Sequence, residues 1–174
     1  MRRAQGWQGR RVVLWPEQAE PALHPFDGRP GDPDLPDRAR EALLDWVALN
    51  PDAVLCVRPR AGDPPPALPR SLQVCLTGQD WPLAPLLHAV DAVVTLTSTV
   101  GLEGHQAGAR LVQVTGSVFD EAMPLGRFGI ADEAVPVDGL PAALDRCTRM
   151  GRRHPKGGDS SATARVAGVV AEFL

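Results

Sequence analysis

Short apolar runs recur along the chain at residues 11–15, 53–57, 72–76, 92–96 and 111–114. Each is too short for a helix, and a continuous run of Val, Leu and Ala fits a parallel strand covered on both faces. Helical spacing lies between them. Residues 37–50 carry Ala39, Leu43, Trp46, Val47 and Leu49 on one face behind Pro36 and Asp37. Residues 82–89 read as a short helix with Leu83, Leu86 and Leu87 inward, and residues 140–150 as another. Residues 135–137 are expected as a last short strand, and Ser160 as the cap of a final helix to residue 173. Residues 17–36 and 60–69 are dense in Pro, Gly and Asp and are expected as loops. Strand and helix in alternation predict a parallel sheet with right-handed crossovers. The expected fold is α/β, a three-layer Rossmann-like open parallel sheet. It divides into a flexible segment (1–10), a Rossmann-like domain (11–150), and a glycine-rich link with a C-terminal helix (151–174).

Composition narrows the function. The 174 residues are 44% hydrophobic and 22% charged, which is ordinary for a globular domain. A net charge of −3 gives no basic footprint for nucleic acid. No run reaches the roughly 20 apolar residues of a membrane span, and no signal peptide follows the arginines near the start. A cytoplasmic protein is expected, or one peripheral at the inner membrane face. Cys56, Cys75 and Cys147 are widely spaced with no CxxC, and read as buried reduced thiols. The four histidines show no ligand spacing, so no metal and no cofactor is expected. The first strand is not followed by GxGxxG, which removes the dinucleotide fingerprint.

The chemistry concentrates in residues 91–103, DAVVTLTSTVGLE. A strand over residues 92–96 runs into Thr97, Ser98 and Thr99, all good caps, and then a helix. A helix start at the carboxyl end of a parallel strand offers free amides and partial positive charge, which suits a phosphate. With Thr99 as cap, Glu103 lies one turn inside and tilts back toward the ligand. The same residues also serve a plain helix start, which needs a hydroxyl cap and tolerates a nearby Glu. The loops at 58–62, 97–99 and 115–119 are expected to converge at one edge of the sheet.

The run DAVVTLTSTVGLEGHQAGARLVQVTG (91–116), with PDAVLCVRP (51–59), resembles the C-terminal nucleotide-binding half of bacterial capsule polysaccharide biosynthesis proteins. These are GT-B-type glycosyltransferases, several of them similar to CMP-Kdo transferases. The resemblance implies a single GT-B-type half that binds a CMP- or UDP-linked nucleotide sugar. Thr97, Ser98, Thr99 and Gly101 would hold the phosphate, with Arg58 and Ser117 as further contacts, and Glu103 would accept the ribose hydroxyls. A carboxylate is acceptor-only and suits a vicinal diol, whereas hydroxyls and amides donate to phosphate. The chain departs from the family where a His-Pro pair is usual, reading Arg58-Pro59-Arg60. His24-Pro25 lies in a different loop and does not replace it. The family's acceptor site and catalytic base belong to a second domain not found in this sequence, so the catalytic residues stay unknown. A partner chain supplying the other half, or a homo-oligomer, is expected. Two other readings stand beside this one: a non-catalytic remnant serving as a binding or assembly module, and part of a UDP-GlcNAc epimerase-like enzyme.

Overall fold

The computed structural model describes residues 1–78 and 80–153. The helix expected over residues 160–173 lies outside them. Six parallel strands form one sheet: β1 (Arg11–Pro16), β2 (Ala53–Arg58), β3 (Val74–Leu76), β4 (Ala92–Thr95), β5 (Arg110–Val114) and β6 (Glu133–Val135). Their order is β3-β2-β1-β4-β5-β6, so the chain reverses direction across the sheet between β1 and β4. Helices α1 (Leu35–Leu49), α2 (Leu83–Ala89), α3 (Thr99–Gln106) and α4 (Leu140–Arg149) cover the two faces.

Alternation along β1 explains the three layers. Val13 and Trp15 pack with α1 and α4, through Leu43, Trp46, Leu140 and Leu144. Val12 and Leu14 point the other way, into a core shared with Leu86 and Leu87 of α2. Both faces of a strand are therefore buried, and the sequence reads as an unbroken apolar run. The expected α/β three-layer architecture is present.

Element ends differ from expectation for local reasons. Helix α1 begins at Leu35 rather than 37, because Pro36 sits in the first turn, where a missing amide costs nothing. It stops before Pro51, whose ring disfavours helical backbone at Asn50. Strand β3 starts at Val74 and not at Leu72. The Gln73 amide donates to Ser71 Oγ at 3.1 Å, and its side chain to the carbonyls of Val47 (2.9 Å) and Asn50 (2.8 Å). Those bonds hold the chain in a turn, leaving Leu72 97% exposed. Strand β6 occupies Glu133–Val135, and Pro136 then leads into a 3-10 turn at Val137–Gly139.

The first ten residues, expected as a flexible segment, form packed turns. Trp7 is buried, its ring centroid 6.0 Å from that of Trp81. Arg2 donates to both carboxylate oxygens of Asp91 (2.9 and 3.1 Å) and to the carbonyl of Ala89. Asp91 in turn accepts the Val12 amide at 2.8 Å. The lone Asp before the central strand is thus a clasp across the amino edge of the sheet. Asp132, before β6, repeats the device: it accepts the Leu111 amide (2.9 Å) and pairs with Arg110 (2.9 Å) and Arg153 (2.7 Å). Arg11 at the start of β1 completes the edge with Asp52 and Asp145.

Candidate functional site

An open sheet whose order reverses between β1 and β4 leaves a crevice outside the carboxyl ends of those strands. Here the β1 loop (Glu17, Gln18) and the β4 loop (Thr97, Ser98) meet. The Gln18 carboxamide oxygen accepts from Thr95 Oγ1 at 3.1 Å and from the Thr97 amide at 3.0 Å. Thr95 Oγ1 also accepts the Ser98 amide at 2.9 Å. The turn before α3 is therefore fixed from two sides before any ligand arrives.

Ser98, not Thr99, caps α3: its Oγ accepts the Val100 amide at 3.2 Å. The Gly101 amide bonds the Ser98 carbonyl at 3.0 Å. The helix start satisfies these two donors itself, so an anion would gain the Ser98 hydroxyl and the helix dipole rather than idle amides.

A crevice of about 310 Å³ opens beside this cap, lined by Glu17, Arg58, Arg60, Ser98 and Val100 among others. Arg58, last residue of β2, donates to the Trp81 carbonyl at 3.0 Å. Among the described residues it meets no carboxylate. Glu17 is half committed elsewhere, with both carboxylate oxygens 3.1 Å from the Arg40 guanidinium. Burial pushes the Glu17 carboxyl above its ordinary value, and Arg40 only partly offsets that. Arg60 makes a long, exposed contact of 3.3 Å to Asp63. The crevice wall therefore presents guanidinium charge with little cancellation, suited to phosphate oxygens.

Of the residues expected here, the structure brings Arg58 and Ser98 into one crevice, with Thr97 and Thr99 beside it on the same turn. Thr97 is half-buried and Thr99 exposed. Gly101 faces the sheet: a Cβ there would lie 2.8 Å from Thr95 Cγ2 and 3.1 Å from a Leu111 methyl. Glu103 is exposed on α3 and does not line the crevice. Ser117 is buried on the neighbouring loop, its Oγ donating to Glu20 Oε2 at 2.8 Å while the Val118 amide bonds Oε1 at 2.7 Å. That pair ties the β5 loop to the β1 loop. His24 is taken up by Asp27 (2.8 Å) and by the rings of Phe26 and Phe119. Glu17, Gln18 and Glu20 were not expected from the sequence. The available signal was their place directly after the first strand, which a loop dense in proline obscured. Among the described residues no group of three or more His, Cys, Asp or Glu is placed to hold a metal. None of the described helices is long and apolar enough to cross a membrane.

The fold defines a class: a Rossmann-like open α/β sheet, similar in architecture to one half of solved GT-B-type glycosyltransferases. The chain is similar in structure to the glycotransferase of kitacinnamycin, with a TM-score of 0.51 and 22% identity over 95% of this chain and 40% of that one. It is similar also to the glycosyltransferase SnogD from Streptomyces nogalater, with a TM-score of 0.50 and 19% identity over 94% of this chain and 44% of that one. The KpsC β-Kdo 2,7 transferase of Thermosulfurimonas dismutans aligns over 82% of this chain and 50% of its own, at TM-score 0.43 and 18% identity, too slight to argue from. At these identities the likeness is one of fold, and the chain spans less than half the length of the first two. No protein-family model and no curated protein matches the chain.

Proposed function

We propose that this chain is the nucleotide-sugar-binding half of a glycosyltransferase-like protein, of the capsule or surface-polysaccharide kind. The observation that carries the reading is the Arg58 guanidinium, which meets no carboxylate among the described residues, beside the Ser98 cap in the crevice where the strand order reverses. Phosphate oxygens of a CMP- or UDP-linked sugar would take Arg58 and the hydroxyls of Ser98 and Thr99. Thr97 and Gly101 would act through the backbone that shapes the turn. Glu103, on the exposed face of α3, would reach the ribose hydroxyls, and Ser117 would act only by fixing the adjoining loop. The crevice stands at the small end of ligand-pocket volumes. A second domain or partner chain closing over it would enlarge the site and bring the acceptor and its base.

Calorimetric titration with CMP, UDP, ADP and GDP tests this. Selective binding is expected, weakened about tenfold or more by Arg58→Ala, since charge-assisted hydrogen bonds contribute roughly 1.5–3 kcal/mol. Ser98→Ala should weaken binding too, and separately cost about 1 kcal/mol as a lost cap. Glu103→Ala should lose the ribose contact. Affinity unchanged in all three variants overturns the site. The assembly-module reading keeps one observation in its favour: the outer edge at β3 carries Leu72, 97% exposed, and Leu76, 43% exposed. It leads if no nucleotide binds and the protein self-associates. Turnover of UDP-GlcNAc with a reconstituted second half would instead mark an epimerase-like enzyme.

A further inference from the structure

Cys56 and Cys75 stand directly opposite each other on neighbouring parallel strands, in the register Leu55↔Val74, Cys56↔Cys75, Val57↔Leu76. Backbones of adjacent strands run about 4.8 Å apart, inside the range of Cα separations that disulfides span. In-register partners also share a face of the sheet. Cys56 is fully buried in the core beneath α2, and Cys75 packs half-buried against that same core. The two thiols therefore face one another with one of them open to solvent.

Among the described residues strand β3 pairs only with β2, which makes it an edge strand of the sheet. It has three residues. A short edge strand has room to shift as the two Cβ atoms close to disulfide distance. The thiols also divide the chemical roles. Cys75 is the one that solvent reaches, and the neighbouring Cys56 thiol holds it below the ordinary thiol range, whereas Cys56 is pushed well up by that neighbour and by burial. Cys147 supplies the contrast. It lies on the inward side of α4, buried against the opposite face of the sheet, its thiol pushed up to about 12 by burial and by Asp132 and Glu133. A thiol in that state is inert to oxidants.

We propose that Cys56 and Cys75 form a reversible dithiol–disulfide site oxidised by hydroperoxides, with Cys75 attacking first and Cys56 resolving. In the first step the Cys75 thiolate attacks one peroxide oxygen. An S–O bond forms, the O–O bond breaks, and the other oxygen leaves as alcohol or water, taking up the proton that Cys75 released. Cys75 is then a sulfenic acid. In the second step the Cys56 sulfur attacks the Cys75 sulfur. The S–S bond forms, the S–O bond breaks, and hydroxide leaves with the Cys56 proton as water. Two thiols and one hydroperoxide thus give one disulfide, one alcohol or water, and one further water.

The test uses the full chain, reduced and then exposed to equimolar hydrogen peroxide, with maleimide counting of thiols and mass spectrometry of unreduced peptides. The expected result is loss of two hydrogens, one remaining thiol at Cys147, and a Cys56–Cys75 linked peptide that dithiothreitol releases. Cys147→Ser should behave as wild type. Cys56→Ser should stop at a sulfenic acid on Cys75 that dimedone captures, and Cys75→Ser should leave Cys56 unmodified. Circular dichroism confirms that each variant is folded before it is counted. Three free thiols after treatment, over-oxidation of Cys75 in the wild type, or a disulfide only between two copies of the chain overturns the proposal.

Discussion

Asp132→Ala is expected to lower the unfolding free energy by about 3 kcal/mol, the low end of what breaking a buried ion pair costs. The carboxylate side chain is only 6% exposed and is shared by Arg110 and Arg153, themselves 19% and 30% exposed. Removing it leaves two guanidiniums facing each other across a half-buried gap and orphans the Leu111 amide, which sets the start of β5. Solvent reaches both arginines, which is why the low end applies. The pH dependence has a defined sign. Burial acts to raise the Asp132 carboxyl, but the Leu111 amide and the two guanidiniums outweigh it and hold the group below its ordinary 3.8. A carboxylate depressed on folding contributes stability above that ordinary value and loses it as pH falls through the lower, folded value. Urea titrations between neutral pH and about pH 2 should show the variant less stable at neutral pH, with a flatter acid limb. Parallel curves, offset or not, would mean that the clasp carries no linked proton.

Gly104→Val should cost about as much, by crowding rather than by lost charge. A Cβ at Gly104 would sit 2.5 Å from Val93 Cγ2 and 3.6 Å from a Leu87 methyl. Val93 is fully buried on β4 and β-branched, so its side chain has no free rotamer to move into. Helix α3 must lift from the sheet, and overpacking of this kind costs roughly 1–3 kcal/mol or more. The same lift displaces the Ser98 turn, so the nucleotide binding proposed for the crevice should weaken with stability. Gly104→Ala is the informative partner. Better helix propensity returns up to about 1 kcal/mol against a smaller clash. Denaturant midpoints of the two variants measure the difference. A valine variant within 0.5 kcal/mol of wild type would show that α3 does not rest on Val93 as closely as the structure has it.

Each of these residues carried a trace in the sequence, though unequally. The strands were legible because β1, β2, β4 and β5 are buried on both faces and are apolar through most of their length, polar residues falling at or near their ends. Helix α1 was legible by spacing. The lone Asp91 was visible but had no meaning until Arg2 and Val12 were seen around it, 89 and 79 positions away in sequence. Trp7 looked like an isolated aromatic in a polar run, and only the fold supplies Trp81 as its neighbour. For the crevice, the hydroxyl turn at Thr97, Ser98 and Thr99 was read as a site from local chemistry, and Arg58 as a further contact beside the site that the resemblance implied. Gln18 was not, because what matters is its bond to Thr95, 77 positions on. Cys56 and Cys75 lie 19 positions apart with no motif between them. Strand register alone makes them neighbours.

The two edges of the sheet are built to different specifications. Asp52, Asp91 and Asp132 bind arginines along the amino edge, while the carboxyl edge has the single Glu17–Arg40 pair and otherwise rests on hydroxyls, one glutamine and one buried glutamate. Each strand is in effect a beam clamped at one end. Amide hydrogens near Val12 and Leu111 would open only with the whole domain, whereas those of the β1 and β4 loops could exchange through small local excursions. Small excursions at the carboxyl end are therefore expected to stay local, because the ion-paired amino end holds the register of the core.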